Sequence, residues 1–275
     1  MAKKLLPTLV CCALACLALV GLSACSQGAP GGAPEAEAST EKLVVGYDNS
    51  YPPYGFIGDD GKPCGLDLDL AQAVCDRLGW ELECQAIDWD AKDALMNQGS
   101  INCIWNGFTM EGREDKYTFS EPYMLNEQVI VVKKGSGIEG YDGLAGRTVA
   151  TQVDSAALEV LQNDRADLAA TFGSLDQITD YNNAFAQLES GLVDAVACDL
   201  SIAAYQTSAN PDAFVMLDEP LSSEHYAVGF KLGDTERAEK VTQALKELAA
   251  DGTAKEICER YAEYGVDYDG NWTLG

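Results

Sequence analysis

Arg113 is the side chain in this sequence best suited to hold an anion. It is the only arginine between positions 78 and 146, and it lies just beyond a predicted buried strand at residues 101–105. Ligands of α/β proteins gather at the carboxyl ends of strands, and a planar guanidinium can bind a carboxylate through two parallel hydrogen bonds. The alternative is a surface ion pair with one of three nearby acids, Glu111, Glu114 or Asp115, which would stabilise the protein little.

Asp199 is the matching candidate for a cation such as an ammonium group. It directly follows a predicted strand at residues 193–198 and precedes a predicted helix. An aspartate in that place is also a favourable helix N-cap, and one residue can serve both purposes. Asp154 precedes a predicted helix at residues 155–163, and it could likewise be only the N-cap of that helix. The backbone N–H groups near Ser155 could receive a carboxylate.

Aromatic residues beside the same strand ends predict a pocket for an organic side chain. Tyr51 lies in the loop after the first strand, and Trp89 begins the helix after the second strand. Both have the alternative of ordinary core packing, which is where aromatic residues usually lie. Trp105 and Asn106 are interpreted as the floor of the pocket.

Neither nucleophilic catalysis nor a metal centre has a sequence signal. His225 is the only histidine, and no Cys-x-x-Cys pair follows Cys25. We therefore expect no structural zinc site, no other metal and no cofactor. General acid–base catalysis by aspartate or glutamate stays open, because carboxylates are available.

Strands and helices alternate from residue 42 onward, which predicts an α/β protein with largely parallel, helix-covered sheets. The predicted strands are residues 43–47, 81–87, 101–105, 128–133, 147–152, 169–172, 193–198 and 226–231. The predicted helices are residues 66–78, 89–97, 155–163, 181–190, 236–250 and 253–264, with one more from residue 200. In the helix at residues 66–78, Asp67 and Asp69 are expected to face water or to cap the helix. A second series of elements begins after residue 137, which indicates an inserted lobe.

The first 25 residues are interpreted as a secretory address. Lys3 and Lys4 precede a nearly all-apolar stretch at residues 5–20, and Leu-Ser-Ala-Cys at 22–25 looks like a bacterial lipobox. The alternatives are an ordinary signal peptide with a chance cysteine, or an uncleaved membrane anchor. On the lipoprotein interpretation residues 1–24 are removed, Cys25 carries lipid such as palmitate, and residues 25–40 form a disordered tether. Two or more acyl chains would anchor the protein stably on the outer side of the cell membrane.

The charge of the chain excludes one class of partner. The chain has 18 basic and 44 acidic residues, a net charge of −26, and such a surface repels the phosphate backbone of nucleic acids.

Six cysteines follow Cys25, and an exported protein can form disulfides. Cys75 and Cys84 are the candidate pair. The remaining four are interpreted as buried thiols: Cys64, Cys103, Cys198 and Cys258.

Several segments resemble one known family. Residues 44–78, VVGYDNSYPPYGFIGDDGKPCGLDLDLAQAVCDRL, resemble the start of the extracellular solute-binding proteins, family 3, the amino-acid receptors of bacterial ABC importers. Members of this family carry a Gly-x-Thr/Ser-x-Thr-x-x-Arg run before a Phe-Ser-x-Pro-Tyr motif. Gly107, Thr109, Arg113 and residues 119–123 fit this pattern, with one residue missing between Thr109 and Arg113. Residues 191–195 and the ending at residues 245–261 are also typical of the family.

The resemblance implies a two-lobed periplasmic-binding-protein-like (type II) fold with a ligand cleft between the lobes. The first lobe would comprise residues 41–126 and 224–275, and the second residues 127–223, with the two crossings of the hinge near 125–127 and 222–225. The implied function is capture of a polar or cationic L-amino acid by a monomeric receptor that delivers it to the ABC permease subunits. The alternatives are a sensory domain that works with a separate receptor, and a periplasmic enzyme similar to cyclohexadienyl dehydratases.

The resemblance also assigns roles to particular residues. Arg113 would bind the ligand carboxylate together with groups at Ser155 and Ala156, and Asp199 would bind the ammonium. Tyr51 and Trp89 would clamp the ligand. Asp48 is either a turn residue or an acid that meets a cationic ligand side chain. The full implied ligand set is Asp48, Tyr51, Trp89, Asn106, Gly107, Thr109, Arg113, Ser155, Ala156 and Asp199. Asp154 departs from the family pattern, which has glycine there.

Overall fold

The computed structural model describes residues 40–275. The predicted signal peptide, the Cys25 lipidation site and all of the predicted tether except Thr40 lie outside the described residues. The strands of the described part are β1 (Lys42–Tyr47), β2 (Ser50–Tyr51), β3 (Gly55–Ile57), β4 (Pro63–Cys64), β5 (Glu81–Ala86), β6 (Cys103–Ile104), β7 (Tyr117–Phe119), β8 (Met124–Lys133), β9 (Thr148–Gln152), β10 (Ser174–Ile178), β11 (Ala195–Asp199), β12 (Phe214–Met216), β13 (Ser222–Tyr226) and β14 (Gly229–Lys231).

The helices of the described part alternate with these strands. They are α1 (Leu66–Leu78), α2 (Lys92–Gln98), α3 (Ala156–Gln162), α4 (Ala166–Ala169), α5 (Tyr181–Ser190), α6 (Leu200–Ala209), α7 (Thr235–Ala250), α8 (Thr253–Glu259) and α9 (Tyr268–Asn271). Short 3-10 turns occur at Trp89–Ala91, Tyr141–Leu144 and Ala262–Tyr264. Among residues 40–275, none of the helices has the length and apolarity that a membrane crossing requires.

Two mixed sheets form the two lobes. The first lobe is built on a five-stranded sheet of order β5-β1-β6-β14-β7, in which β1 is parallel to β5 and β6 while β14 is antiparallel to its neighbours. The second lobe is built on a sheet of order β10-β9-β11-β8-β12, with β13 also paired to β8. Here β9 is parallel to β10 and β11, and β8 is antiparallel to all its partners. The predicted α/β class is therefore confirmed, but the expectation of largely parallel sheets is wrong, because β8 and β14 pair antiparallel to all their neighbours. Parallel pairing is confined to the strands that crossover helices connect.

Strands β8 and β13 run side by side between the lobes. Their antiparallel register pairs Ser222 with Gln128 and Tyr226 with Met124. Both predicted hinge crossings lie within this ribbon. The predicted lobe boundaries also fall inside this ribbon. Because β8 continues through the first boundary without interruption, the exact boundaries stay a prediction.

Helix α1 shows how the sequence determines a local element. Leu66, Leu70 and Val74 recur at helical spacing and are fully buried. The helix ends at Gly79, whose left-handed backbone (φ 67°) suits a residue without a Cβ. The predicted bounds are those observed. The expectation that Asp67 faces water or caps the helix is wrong, because its side chain is fully buried.

Two strand predictions differ from the structure. Residues 169–172 were expected to be a strand, but the chain forms the helical turn α4 up to Ala169 and begins β10 only at Ser174. Alanine and leucine favour helix over strand in this segment. The predicted strand 226–231 is divided between β13 and β14, because the chain leaves one sheet there and enters the other.

The six described cysteines are free thiols. Burial raises the pKa of Cys75 to about 12 and that of Cys84 to about 11. The charge of Cys84 raises the pKa of Cys75 further. The Cys75–Cys84 disulfide stays a prediction.

Candidate ligand-binding site

A small cavity lies between the two lobes. Its walls come from the end of β2, the turn that begins at Trp89, the loop after β6, the junction between β9 and α3, and the end of β11. The lining residues are Tyr51, Trp89, Asn106, Gly107, Phe108, Thr109, Arg113, Gln152, Ser155, Ala156 and Asp199. The structure thus brings nine of the ten sequence-predicted ligand residues to one cavity.

Two predicted residues do not line the cavity: Asp48, and Trp105, which was predicted to form its floor and is instead fully buried in the core. One oxygen of the buried Asp48 carboxylate accepts a hydrogen bond from Ser50 N (2.8 Å), and the other accepts one from Gln152 Nε2 (2.6 Å). Gln152 and Phe108 are cavity residues that the prediction left out. Gln152 is the last residue of β9, and the rule that ligands gather at strand ends could have selected it.

Arg113 is buried beside the cavity and is 5% exposed. Its Nη1 donates to the carbonyl oxygen of Thr109 (2.9 Å), and its Nη2 donates to that of Asp154 (3.3 Å). The guanidinium lies 5.0 Å from the ring of Phe108. The nearest carboxylate, Glu159 at 3.9 Å, lies at the edge of the ion-pair range. The alternative of a surface ion pair with a neighbouring acid is therefore wrong for this arginine.

Asp199 occupies the N-cap position of α6, but its side chain makes no capping hydrogen bond. Its Oδ1 instead accepts three bonds, from Asn126 Nδ2 (3.0 Å), Gln128 Nε2 (2.7 Å) and Tyr226 Oη (2.8 Å). Burial raises the pKa of this carboxyl. Asn126, Gln128 and Tyr226 were not among the residues predicted from the sequence. The sequence pattern that could have selected Asn126 and Gln128 is the two-residue period of a strand, because residues 126 and 128 lie on the same face of β8.

Asp154 connects the two lobes and is not a helix N-cap. The cap of α3 is Ser155, whose Oγ accepts from Leu158 N at 3.1 Å. Asp154 O accepts from Trp89 Nε1 (3.2 Å) as well as from Arg113, and its carboxylate meets Lys92 Nζ at 3.3 Å. The residue has a left-handed backbone (φ 55°), a conformation that glycine adopts at lower cost.

Tyrosine and tryptophan rings form much of the remaining wall. Tyr51 Oη lies 3.4 Å from Tyr226 Oη, and the Tyr51 ring packs 6.1 Å from that of Tyr181. Trp89 meets Phe108 edge to face at 5.7 Å. Both predicted aromatic residues thus line the cavity and also pack against the core, so the two interpretations are compatible.

Asp67 supports the cavity wall from within the first lobe. Its Oδ2 accepts from Gly107 N (2.5 Å) and its Oδ1 from Tyr123 Oη (2.7 Å). Gly107 has a positive φ of 58°, and a Cβ there would lie within 3.2 Å of Tyr51 and Tyr226. Burial raises the pKa of Asp67 to about 7. Asp67 therefore fixes the backbone at Gly107, which lines the cavity.

We expect Asp67→Asn to gain stability relative to the parent protein as the pH rises. The folded-state pKa of Asp67 lies above its unfolded value, so the folded parent binds the extra proton between about pH 4 and pH 7 and loses this stability as the pH rises. Between pH 5 and pH 7 the free energy of unfolding of the parent should fall by about 2–3 kcal/mol through this group. The variant lacks the carboxyl, so its free energy of unfolding should not show this decrease. Urea unfolding across that range measures it.

The matched control for this prediction is Asp69→Asn, in the same helical turn. Asp69 bonds to Arg260 (2.7 Å) and Tyr261 (2.9 Å) and is not fully buried. Parallel pH profiles for Asp67→Asn and the parent would contradict the prediction. Asp67→Ala is expected to cost about 2–4 kcal/mol at pH 5, because it leaves the Gly107 N–H and the Tyr123 hydroxyl buried without acceptors. This cost should become smaller toward pH 7, because Asp67→Ala also lacks the titrating carboxyl.

Two α/β lobes with a polar cavity between them define a ligand-binding protein of the periplasmic-binding type. Among residues 40–275 there is no group of three His, Cys, Asp or Glu side chains placed to hold a metal ion. Residues 43–264 match the family model of bacterial extracellular solute-binding proteins, family 3. The chain belongs to this family.

Relatives with curated names are mostly amino-acid-binding proteins. The L-cystine-binding protein TcyJ of Escherichia coli (strain K12) is 30% identical over 229 residues, covering 82% of this chain and 83% of that protein. The arginine-binding extracellular protein ArtP of Bacillus subtilis (strain 168) is 26% identical, covering 87% and 92%. A membrane-bound lytic murein transglycosylase F from Desulfosudis oleivorans is 29% identical, but the match covers only 48% of it.

Solved structures with the same fold contain bound amino acids. A substrate-binding protein of an ABC uptake transporter from Streptococcus pneumoniae, with bound histidine, has a TM-score of 0.77 and 32% identity, covering 80% of this chain and 92% of that one. An ancestral arginine-binding protein bound to glutamine has a TM-score of 0.74 and 33% identity, covering 80% and 97%.

Proposed function

We propose that this chain is the extracytoplasmic substrate-binding component of an ABC importer and that it binds a polar or cationic L-amino acid between its lobes. The observation that carries the proposal is the placement of Arg113 and Asp199. The first comes from the first lobe and the second from the second lobe, and both line one buried cavity. A guanidinium and a carboxylate on opposite walls match the carboxylate and ammonium of an α-amino acid.

The carboxylate end of the ligand is assigned to Arg113. Its partner Asp154 immediately precedes Ser155 and Ala156, which line the same cavity. The ammonium end is assigned to Asp199. Its three hydrogen bonds all reach Oδ1 and leave Oδ2 for the ligand.

The remaining walls favour a ligand side chain that can form hydrogen bonds. The side chain of Asn106 is 1% exposed, and neither of its amide atoms has a hydrogen-bond partner within residues 40–275. An unpaired buried amide is costly, and a polar group of the ligand would satisfy it. Gln152 supplies a second amide, which Asp48 orients. Tyr51 and Trp89 would enclose the apolar part of the ligand.

Closure of the lobes would couple binding to delivery. Only a ligand that contacts both lobes stabilises the closed form over the open one. The contacts of Trp89, Lys92 and Arg113 with Asp154 also join the lobes in the closed form. The β8–β13 ribbon is proposed as the hinge, with lobes at 41–126 plus 224–275 and at 127–223.

The cellular setting follows from the sequence. We propose that residues 1–24 are a lipoprotein signal peptide and that lipid on Cys25 holds a monomeric receptor at the outer face of the membrane or in the periplasm. The receptor would pass its amino acid to permease subunits of the transporter. A catalytic role is not proposed, and incubation with prephenate or arogenate is expected to give no aromatic product.

A thermal-shift panel of the twenty common L-amino acids and L-cystine tests the proposed function. A ligand at about 100 times its dissociation constant adds about 2.7 kcal/mol to the free energy of unfolding. We expect a marked shift with a small group of polar or cationic amino acids, and no shift with their D-enantiomers at the same concentration. No response to any L-amino acid would contradict the proposal.

A further inference from the structure

A second buried carboxylate, Glu224, lies beside the proposed ammonium site. The two acids lie on strands that flank β8: Asp199 on β11 and Glu224 on β13. Asn126 and Gln128 lie on β8 between them. The strand register places Asp199 opposite Gln128 and Glu224 opposite Asn126. Glu224 is 3% exposed and Asp199 is 4% exposed. Glu224 was not among the ligand residues predicted from the sequence.

Two amide groups bridge the two acids. Asn126 Nδ2 donates to Asp199 Oδ1 (3.0 Å) and to Glu224 Oε1 (2.7 Å). Gln128 Nε2 donates to the same two oxygens, at 2.7 and 2.8 Å. Each amide nitrogen carries two hydrogens, so one is available for each acid. Thr109 Oγ1 adds a third donor to Glu224 at 2.8 Å.

The pair has neutral donors but no cation. Within residues 40–275, no nitrogen of Lys, Arg or His lies within 4.0 Å of either carboxylate. Two ionised carboxylates in a buried site repel each other and lose their hydration. Such a pair retains a proton or acquires a positive partner.

We propose that Glu224 is a second acid of the ammonium site, and that the Asp199–Glu224 pair holds one proton in the empty protein and releases it when the ammonium of the ligand binds. This inference rests on the proposed function. The exchange is balanced: one carboxyl O–H bond breaks, its proton passes to solvent or buffer, and the charge of the arriving ammonium replaces it. No covalent bond to the ligand forms.

The pKa values of both acids agree with this exchange. Burial raises the pKa of Glu224 to about 7, with a further increase from the charge of Asp199. Burial also raises the pKa of Asp199. Below the pKa of the pair, proton and ligand compete. The affinity is therefore expected to fall about tenfold for each pH unit below it, and to level off above it.

Other ionisable groups around the pair must be separated from it experimentally. They come from several elements that pack against it, and they are Tyr51, Tyr54, Arg113, Glu111, Glu159, Tyr181, Cys198, His225 and Tyr226. His225 is the one that directly follows Glu224 in the chain. Its Nδ1 lies 2.7 Å from Glu111 Oε1, away from the Asp199–Glu224 bridge.

The first test uses the ligand-free protein. Infrared difference spectra between pH 5 and pH 8 are expected to show a protonated buried carboxyl group that ionises near neutral pH. The signal should be present in Asp67→Asn, which removes the other buried acid with a similar pKa, and absent in the double variant Asp67→Asn/Glu224→Gln. Absence of the signal in Asp67→Asn, or its persistence in the double variant, would overturn the inference.

The second test measures binding of L-arginine and L-glutamine by calorimetry from pH 5 to pH 8, in buffers of different ionisation enthalpy. Neither ligand has a side chain that titrates in this range. We expect release of up to one proton near pH 6 and an affinity about thirtyfold or more lower at pH 5 than at pH 8. Glu224→Gln should lose both the proton release and the slope, whatever its affinity at pH 8. His225→Gln and Glu111→Gln should keep both.

The results distinguish this inference from the proposed function. Binding whose affinity does not change between pH 5 and pH 8, or a slope that disappears in His225→Gln, overturns the inference and leaves the receptor function intact. A protein that binds no amino acid at any pH contradicts the receptor function, and the infrared titration still decides whether the pair holds a proton.

Discussion

Arg113→Ala is expected to abolish amino-acid binding while the protein remains folded. The guanidinium is buried beside the cavity and held by the carbonyl oxygens of Thr109 and Asp154. Its removal leaves the ligand carboxylate buried without a counter-charge, and losses of this kind reach about 4 kcal/mol, roughly a thousandfold in the dissociation constant. Calorimetry with the ligand found in the thermal-shift panel measures the loss.

Two further variants distinguish a specific role from a general effect of charge. Arg113→Lys keeps the charge but not the planar fork, so it should recover only part of the affinity. Arg147→Ala removes an exposed arginine that pairs with Asp194 at 3.5 Å, and it should bind like the parent. Unchanged affinity in Arg113→Ala, with a normal unfolding transition, would refute the assignment.

Asp199→Asn is expected to change binding and stability in opposite directions. Loss of the negative charge beside the ammonium should weaken binding by about 3 kcal/mol, roughly 150-fold. The same change removes a buried acid whose pKa is raised by burial and whose ionised form therefore destabilises the folded state at pH 8. The melting temperature of the ligand-free variant at pH 8 should be equal to or higher than that of the parent.

The control for this variant is Asp194→Asn, close by in the sequence. Asp194 accepts a hydrogen bond from Thr148 N at 2.9 Å and pairs with Arg147, away from the cavity. The control should keep its affinity. If Asp199→Asn keeps its affinity and loses stability, Asp199 has a structural role in the hydrogen-bond network of β8 and no role in binding.

The proton exchange at Glu224 and the binding role of Asp199 can be examined together. In Asp199→Asn the like-charge repulsion on Glu224 disappears, because its neighbour is neutral. The two acids share donors, so their effects on binding are not expected to add. A double variant with Glu224→Gln measures the coupling between them.

The local elements and several site residues were predictable from the sequence. The bounds of α1 and α5 follow from apolar spacing and glycine caps, which depend only on neighbouring residues. Arg113, Asp199 and Tyr51 could be selected because polar and aromatic residues just beyond strands meet at one edge of a sheet. That rule needs strand positions but no knowledge of side-chain packing.

The tertiary structure alone decided which polar groups are buried together. Asp67 bonds to Gly107, 40 residues away, and Asn126 bonds to Glu224, 98 residues away. The helical pattern placed Asp67 on a polar face, and only the packing of the loop after β6 against α1 buries it. Nothing close to Glu224 in the sequence indicates its pairing with Asp199.

The sequence by itself thus determined the family, the alternation of strands and helices, and the opposite placement of Arg113 and Asp199. It did so because periodicity, caps and strand ends are local properties of the chain. The structure decided that Asp48 lies behind Gln152, that Asp154 joins the lobes, and that Glu224 shares its donors with Asp199. These arrangements depend on strands from distant parts of the chain meeting in one sheet, and on the resulting exclusion of water, which no local pattern specifies.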